Sequence, residues 1–154
     1  AMYDPLPLPQ GLTAFLLPEG PDMWHEFALG LDFADPRATI DLLLAADAIT
    51  CREDCDRATA LLILAKARAA GFHRGECPPG FDEDAGLAFV GRLSAALAAG
   101  DFPTARFPLP PPAQRLVAEQ SGLPPQRLGW VAHRPHHGFA GWRPVTHALL
   151  ARSA

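Results

Sequence analysis

The stretch that most constrains the fold is residues 54–72, DCDRATALLILAKARAAGF. Within it, residues 58–65 include a single polar side chain, Thr59, and residues 61–64 cover every side of a helical cylinder. The apolar run is far shorter than the roughly 20 residues that cross a bilayer. Because this helix has no polar face, we predict that it is buried at the centre of the fold, at about residues 55–70.

Both ends of this predicted helix carry local signals. Asp54 or Asp56 can cap its N-terminus, where free amides and the helix dipole favour a carboxylate. Gly71 is placed as the left-handed residue after the last turn, and Phe72 can fold back onto that turn.

The distribution of the 17 prolines divides the chain. Prolines are poorly tolerated inside helices, and nearly all of them fall in an irregular arm at 1–21, at 78–79, in a linker at 101–112 with polyproline II character, and in a Trp/His/Arg-rich segment at 123–144. The remaining sequence is helical in pattern. We therefore predict one all-α domain over residues 1–154, a bundle of five to six helices around the central one.

The other predicted helices follow from periodicity and capping signals. They run from Asp22 to about 32, from Asp35-Pro36 to about 48, from the acids at 82–84 to about 99, over 111–121, and from 145 to about 152. In the second of these, Ile40, Leu43, Leu44 and Asp47 share one side. We expect His25 to be partly exposed and Asp41 and Asp47 to be solvated. Gly86 and Gly91 would allow close approach of a neighbouring helix, which offsets their cost of about 1 kcal/mol each.

Composition narrows the classes of function. The net charge is −4 and the sequence has no basic run, so nucleic acid is a poor partner. No segment is long and apolar enough to cross a bilayer, so we expect no membrane partner. Three cysteines fit a disulfide framework badly and no basic-then-apolar leader opens the chain, so we expect a cytoplasmic protein.

One constellation could suggest zinc: Cys51, Cys55, His73 and Cys77. These residues flank opposite ends of a helix about 25 Å long, at roughly 1.5 Å per residue, so they cannot converge on one ion. We predict no metal site. Cys55 at a helix N-terminus could have a lowered thiol pKa, but no histidine base is evidently brought to it, and we interpret it as a small buried thiol.

The C-terminal segment provides the candidate interaction surface. Its members are cationic or aromatic: Trp130, His133, Arg134, His136, His137, Trp142 and Arg143. Arginine and aromatic residues are typical interface anchors and could meet an acidic patch on a partner. The alternative is a solvated loop held by its tryptophans.

No catalytic motif occurs. A glycine-rich phosphate loop, a Gly-x-Ser-x-Gly elbow and a His-Glu-x-x-His helix are all absent, so we predict no catalytic residue and no cofactor. The leading interpretation is a non-catalytic protein-binding module. The alternative is a small enzyme or ligand-binding domain with a pocket lined by His133, His136, His137 and Arg143.

A resemblance adds to this interpretation. Residues 24–28 (WHEFA), 31–33 (LDF) and 55–63 (CDRATALLI) resemble a small bacterial family known only as a domain of unknown function, over about residues 23–72. The resemblance implies a bacterial protein with a helical first half, and it implies no catalytic residues. An immunity or adaptor role would fit its size and acidity. The partner protein is not specified by the sequence, and a homodimer stays open.

Overall fold

A computed structural model describes residues 11–38, 40–124 and 128. These residues form an all-α bundle around one hydrophobic core, and they include no β-strand. The helices are α1 (Gly11–Leu16), α2 (Pro21–Gly30), α3 (Ile40–Thr50), α4 (Arg57–Ala69), α5 (Glu83–Ala99) and α6 (Pro111–Gln120), with 3-10 turns at Leu17–Glu19 and Phe72–Arg74. The predicted fold class, with five to six helices, is confirmed.

Helix α4 is the centre of the bundle. It packs against α2, α5 and α6, and residues 61–64 are completely buried. Asp56 is the N-cap, because its carboxylate accepts the Ala58 N–H at 3.0 Å. Gly71 follows the helix in the left-handed region with φ 93°, as predicted, since a side chain there would be strained.

Phe72 explains one of the two predicted glycine contacts. Its buried ring lies 4.9 Å from the Phe33 ring and 5.3 Å from the Phe81 ring. A Cβ atom at Gly86 would lie only 3.2 Å from Cγ of Phe72, so α5 passes unusually close to this ring at Gly86. At Gly91 the prediction is wrong, because an added Cβ atom would meet nothing within 4 Å.

Two N-terminal boundaries differ from the predictions. Part of the predicted irregular arm is helical: α1 buries Leu12 and Leu16, and the indole N–H of Trp24 donates to the Leu16 carbonyl at 2.9 Å. Residues 1–10 lie outside the described residues. Helix α2 begins at Pro21 after Gly20, so Asp22 lies in its first turn and is not its cap.

The predicted helix start at Asp35-Pro36 is also wrong. The Asp35 carboxylate accepts the Arg37 N–H at 2.8 Å, and its carbonyl accepts the Ala38 N–H at 2.8 Å. These bonds close a turn. An aspartate followed by proline can form such a turn instead of starting a helix. Helix α3 begins only at Ile40.

The second half of the described chain follows the predicted pattern. Helix α5 is capped by Asp82 and ends at Gly100 with φ 81°, and its inner face is Phe89, Val90, Leu93 and Leu97. Residues 101–110 form no regular secondary structure and cross the bundle as a strap. Helix α6 then buries Val117, with Leu116 half-buried beside it. The predicted helix at 145–152 lies outside the described residues.

Candidate protein-binding face

The candidate surface predicted from the C-terminal segment cannot be placed. Its seven members, Trp130, His133, Arg134, His136, His137, Trp142 and Arg143, all lie outside the described residues. The alternative pocket of His133, His136, His137 and Arg143 lies outside them for the same reason.

Within the described part of the chain, a shallow groove of about 360 Å³ separates α3 from α5. Its lining consists of one side of each helix: Ile40, Leu43, Leu44 and Asp47 from α3, and Ala85, Ala88, Phe89 and Arg92 from α5. Ile40 and Ala85, near the beginnings of the two helices, line the same groove, and Arg92 reaches Asp47 and Thr50 at the end of α3. The two helices therefore run in the same direction, and the groove follows their length.

The outer side of α3 is unusually apolar. Ile40, Leu44 and Ala48 are all at least partly exposed, and 39% of Leu44 is open to solvent. A helix at a protein surface normally presents charged or polar residues on its outer side. The side of the helix that was predicted to contain Ile40, Leu43, Leu44 and Asp47 therefore faces the groove. The core side is formed by Leu42, Ala45, Ala46 and Ile49.

The exposed side of α5 is also free of charged residues after its first turn. After the first turn its exposed positions are small or apolar: Leu87, Ala88, Gly91, Ala95, Ala98 and Ala99. Leu44 and Leu87 are the large hydrophobic residues that are exposed in the described part of the chain, at 39% and 42%. We name the groove and its rims, Ile40, Leu44, Ala48, Ala85, Ala88 and Gly91, the α3–α5 face.

The charges around the α3–α5 face are unevenly placed. At one end, the Arg92 guanidinium pairs with the Asp47 carboxylate at 2.9 Å and donates to the Thr50 hydroxyl at 2.7 Å. This pair is formally neutral. At the other end, Glu83 and Asp84 are exposed in the first turn of α5 and have no partner cation among the ion pairs of the described residues. Apart from the neutral Asp47–Arg92 pair the groove lining is apolar, and exposed acids lie at one end of the face.

His25 was predicted to be partly exposed, and it is buried, with 2% of its surface accessible. Its Nε2 atom donates to the Pro108 carbonyl at 3.0 Å, because that oxygen can only accept. Its Nδ1 atom shares a hydrogen bond of 2.8 Å with the Thr59 hydroxyl, and its ring stacks on Phe107 with ring centroids 4.9 Å apart. The imidazole thus fastens the strap to α2 and α4. The strap is 83 residues further along the chain.

Asp56 shows the same use of a buried polar group. Asp56 is fully buried, and besides capping α4 it accepts the backbone N–H of Arg106 in the strap at 2.6 Å. Asp41, predicted to be solvated, is buried in α3, and burial raises the pKa of its carboxyl group. Asp47 is half-exposed and paired with Arg92.

Lys66 ties α4 to the end of α2. Its Nζ atom donates to the carbonyls of Ala28, Leu29 and Leu31 at 2.8, 2.9 and 2.7 Å. Three acceptors satisfy all three N–H bonds of an ammonium group. Burial lowers the pKa of Lys66 to about 8, and the nearby Asp32 carboxylate opposes that effect.

The cysteines do not form a reactive or metal-binding arrangement. Cys51 is exposed after α3, Cys55 is buried before α4, and His73 and Cys77 follow the far end of α4. Burial raises the pKa of the Cys55 thiol, and the carboxylates of Asp56 and Asp54 add to this effect. A lowered thiol pKa at this helix end is thus contradicted. The described residues hold no group of three or more His, Cys, Asp or Glu that could bind a metal ion.

Comparison with known proteins gave no relative: no family model, no curated protein and no solved structure matches the chain. Across the described residues, no helix has the length and hydrophobicity needed to cross a bilayer.

Proposed function

We propose that this chain is a non-catalytic module that binds another protein through the α3–α5 face. The observation that supports this function is the apolar outer side of two adjacent helices, with Leu44 on one rim of the groove and Ala88 on the other. Contiguous exposed apolar patches are uncommon on monomeric proteins and often mark sites of protein interaction. Packing of the core does not require this apolar patch, since polar residues at these exposed positions would not disturb the core.

Three polar side chains inside the described part of the chain have structural roles, while the buried Thr13 Oγ1 and His73 Nδ1 atoms have no hydrogen-bond partner among the described residues. His25, Asp56 and Lys66 each bond to backbone groups that hold the strap or the end of α2. A catalytic site would instead bring acid, base or nucleophile together in a cleft that a substrate can enter. The binding function therefore accounts for the exposed surface without assigning a reaction to groups that already stabilise the fold.

The test is photo-crosslinking in the organism that produces the chain. A photoreactive amino acid at Ala88 should form an adduct with a partner protein, because Ala88 lines the groove and is exposed. Adding Leu44→Glu should remove the adduct, since it puts a charge on the opposite rim. Ala118→Glu adds the same charge to an exposed position of α6 and should leave the adduct unchanged. No adduct at Ala88, or one that persists in Leu44→Glu, would refute this use of the face.

The segment from Trp130 to Arg143 is proposed as a second contact, on the basis of its sequence alone. A pull-down with wild type and a Trp142→Ala, Arg143→Ala variant tests it independently of Ala88. If both forms recover the same partners, this segment is not the interface. A bacterial, cytoplasmic setting, an immunity or adaptor role and the family resemblance over residues 23–72 remain proposals of the same kind.

A further inference from the structure

We infer that the occupant of the α3–α5 face is a cationic amphipathic helix of a partner protein, oriented with its basic end at Glu83 and Asp84. This inference rests on the proposed function and specifies the chemistry of the partner. Three features of the face support it: its shape, its lack of net charge along the groove, and the position of the uncompensated acids.

The shape of the face fits a helix. The groove lies between two helices that run in the same direction, and its rims are rows of residues spaced three or four apart, such as Ile40, Leu44 and Ala48 on α3. Such rows form ridges between which the side chains of a third helix can pack. From Ile40 to Asp47 the groove spans about 10 Å at roughly 1.5 Å per residue. Two to three turns of a partner helix would fill it, with anchors at i, i+3 or i+4, and i+7.

The small residues of α5 set the distance of approach. Ala85, Ala88 and Gly91 project little beyond the helix backbone, and a Cβ atom added at Gly91 would meet nothing within 4 Å. A partner helix with leucine-sized anchors can therefore lie close to α5. Leu44 would then pack on one flank of that helix.

The charge of the face selects the partner. Asp82 is engaged as the N-cap of α5, where it accepts the Ala85 N–H at 2.9 Å. Glu83 and Asp84 beside it are exposed. Residues 11–124 contain nine Lys and Arg against sixteen Asp and Glu, a formal net charge of −7. Charge complementarity suppresses wrong partners and steers association, so this acidic body with its acidic groove end favours a cationic helix over a second copy of itself.

The probe is a fluorescein-labelled synthetic peptide of about 18 residues, long enough to be helical, with leucines at i, i+3, i+4 and i+7 and lysines at one end. Its isomer carries glutamates in place of those lysines, and a scrambled peptide keeps the composition without the apolar face. Fluorescence anisotropy with the full chain should show the lysine peptide binding about fivefold more tightly than the glutamate isomer, the size expected for exposed ion pairs. The scrambled peptide should not bind.

Variants locate the binding. Leu44→Glu should abolish it and Ala118→Glu should leave it unchanged. Glu83→Gln with Asp84→Asn, which keeps the Asp82 cap, should remove the preference for lysine while the peptide still binds. Raising the salt concentration to about 1 M should also remove the preference for the lysine peptide, because the Debye length is then only about 3 Å. Circular dichroism of each variant confirms that it is folded.

The outcomes separate the two proposals. Equal binding of the lysine and glutamate peptides would overturn the cationic occupant and leave the proposed function intact. Binding of no peptide, with a cellular adduct still formed at Ala88, would also overturn only the helix. After Glu119 the chain itself contains four arginines and no Asp or Glu. A photo-crosslink from Ala88 to residues 120–154 within the purified chain would show that its own C-terminal segment is the occupant and would overturn the inference.

Discussion

The carboxylate of Asp56 joins two parts of the chain, because it caps α4 and also accepts the backbone N–H of Arg106 at 2.6 Å, 50 residues further along the chain. The strap on that side has other bonds to the same helix end: the Arg57 N–H donates to the Thr104 carbonyl at 2.7 Å, and Arg57 Nε donates to the Phe102 carbonyl at 3.0 Å. The N-terminal end of α4 thus positions the strap with side-chain and backbone bonds.

We expect Asp56→Ala to lower the free energy of unfolding by about 3 kcal/mol. About 1 kcal/mol comes from the lost cap, and the rest from buried N–H groups that lose their acceptor. Asp56→Asn keeps one acceptor oxygen and should lose less. Urea unfolding followed by circular dichroism measures both.

Asp54→Ala is the matched control for that measurement. Asp54 is also acidic and lies near the same helix end, but its side chain is exposed and its ion pair with Arg52 spans 3.9 Å. Its loss should change the free energy of unfolding by less than about 0.5 kcal/mol. If Asp54→Ala cost as much as Asp56→Ala, general charge at the helix end would explain the effect, and the strap contact would not.

Lys66 should matter for stability although its burial is unfavourable. Lys66→Met keeps the length and apolar stem of the side chain but removes the ammonium donor from three carbonyls at the end of α2, of which the Ala28 carbonyl keeps the Leu31 N–H at 3.3 Å. We expect a loss of about 2 kcal/mol in the free energy of unfolding. Arg74→Met, at an exposed position, should be close to neutral. A Lys66→Met variant as stable as wild type would show that water replaces the ammonium group at no cost.

The contribution of Lys66 to the free energy of unfolding should depend on pH, and its pKa gives the sign of that dependence. Lys66 is the single lysine of the chain. The pKa of Lys66 is lowered to about 8 in the folded protein, from 10.5. Between these pH values the unfolded chain binds the extra proton, so the free energy of unfolding of wild type should rise relative to Lys66→Met as the pH increases from 8 to 10.5. The gain is at most about 3 kcal/mol, and less to the extent that the three carbonyl bonds favour the charged form.

Nuclear magnetic resonance measures that titration directly. With lysine labelled at Cε, the chain gives one ε-carbon signal, and its chemical shift should titrate with a midpoint well below that of free lysine. A midpoint at or above 10.4, the ordinary value, would show that the carbonyl bonds outweigh burial. The predicted rise in relative stability above pH 8 would then be absent as well.

Local signals predicted the parts of the fold that depend on near neighbours. The absence of a polar face over residues 61–64 was enough to predict a buried helix, and capping chemistry was enough to place Asp82 and Gly71. At Asp35-Pro36 the same chemistry favoured a turn, because aspartate can bond to the backbone in either structure. Sequence alone does not decide which of these local bonds forms.

The parts that the sequence did not predict depend on distant contacts. His25 is buried because Pro108 and Phe107 lie over it. No pattern around residue 25 predicts that a strap from so far along the chain covers this side chain. In α3 apolar residues occur on most sides of the helix, so its sequence alone did not decide which apolar side lies outside the core. The periodicity did not show that Leu42 and Ile49 face the core while Leu44 faces solvent.

The two glycines of α5 provide a matched pair of substitutions. Gly91→Ala should stabilise the protein by about 0.5–1 kcal/mol, because the position is exposed, helical and open, and alanine has the better helix propensity. Gly86→Ala should destabilise it by about 1–3 kcal/mol, because the new methyl group would press on the Phe72 ring at 3.2 Å. Thermal and urea unfolding of the two variants measure the sign of each change in stability.

If the α3–α5 face receives a closely packed helix, Gly91→Ala should also weaken binding of the lysine peptide while it stabilises the free chain. Stabilisation with unchanged peptide affinity would place the partner helix away from Gly91, towards Leu44.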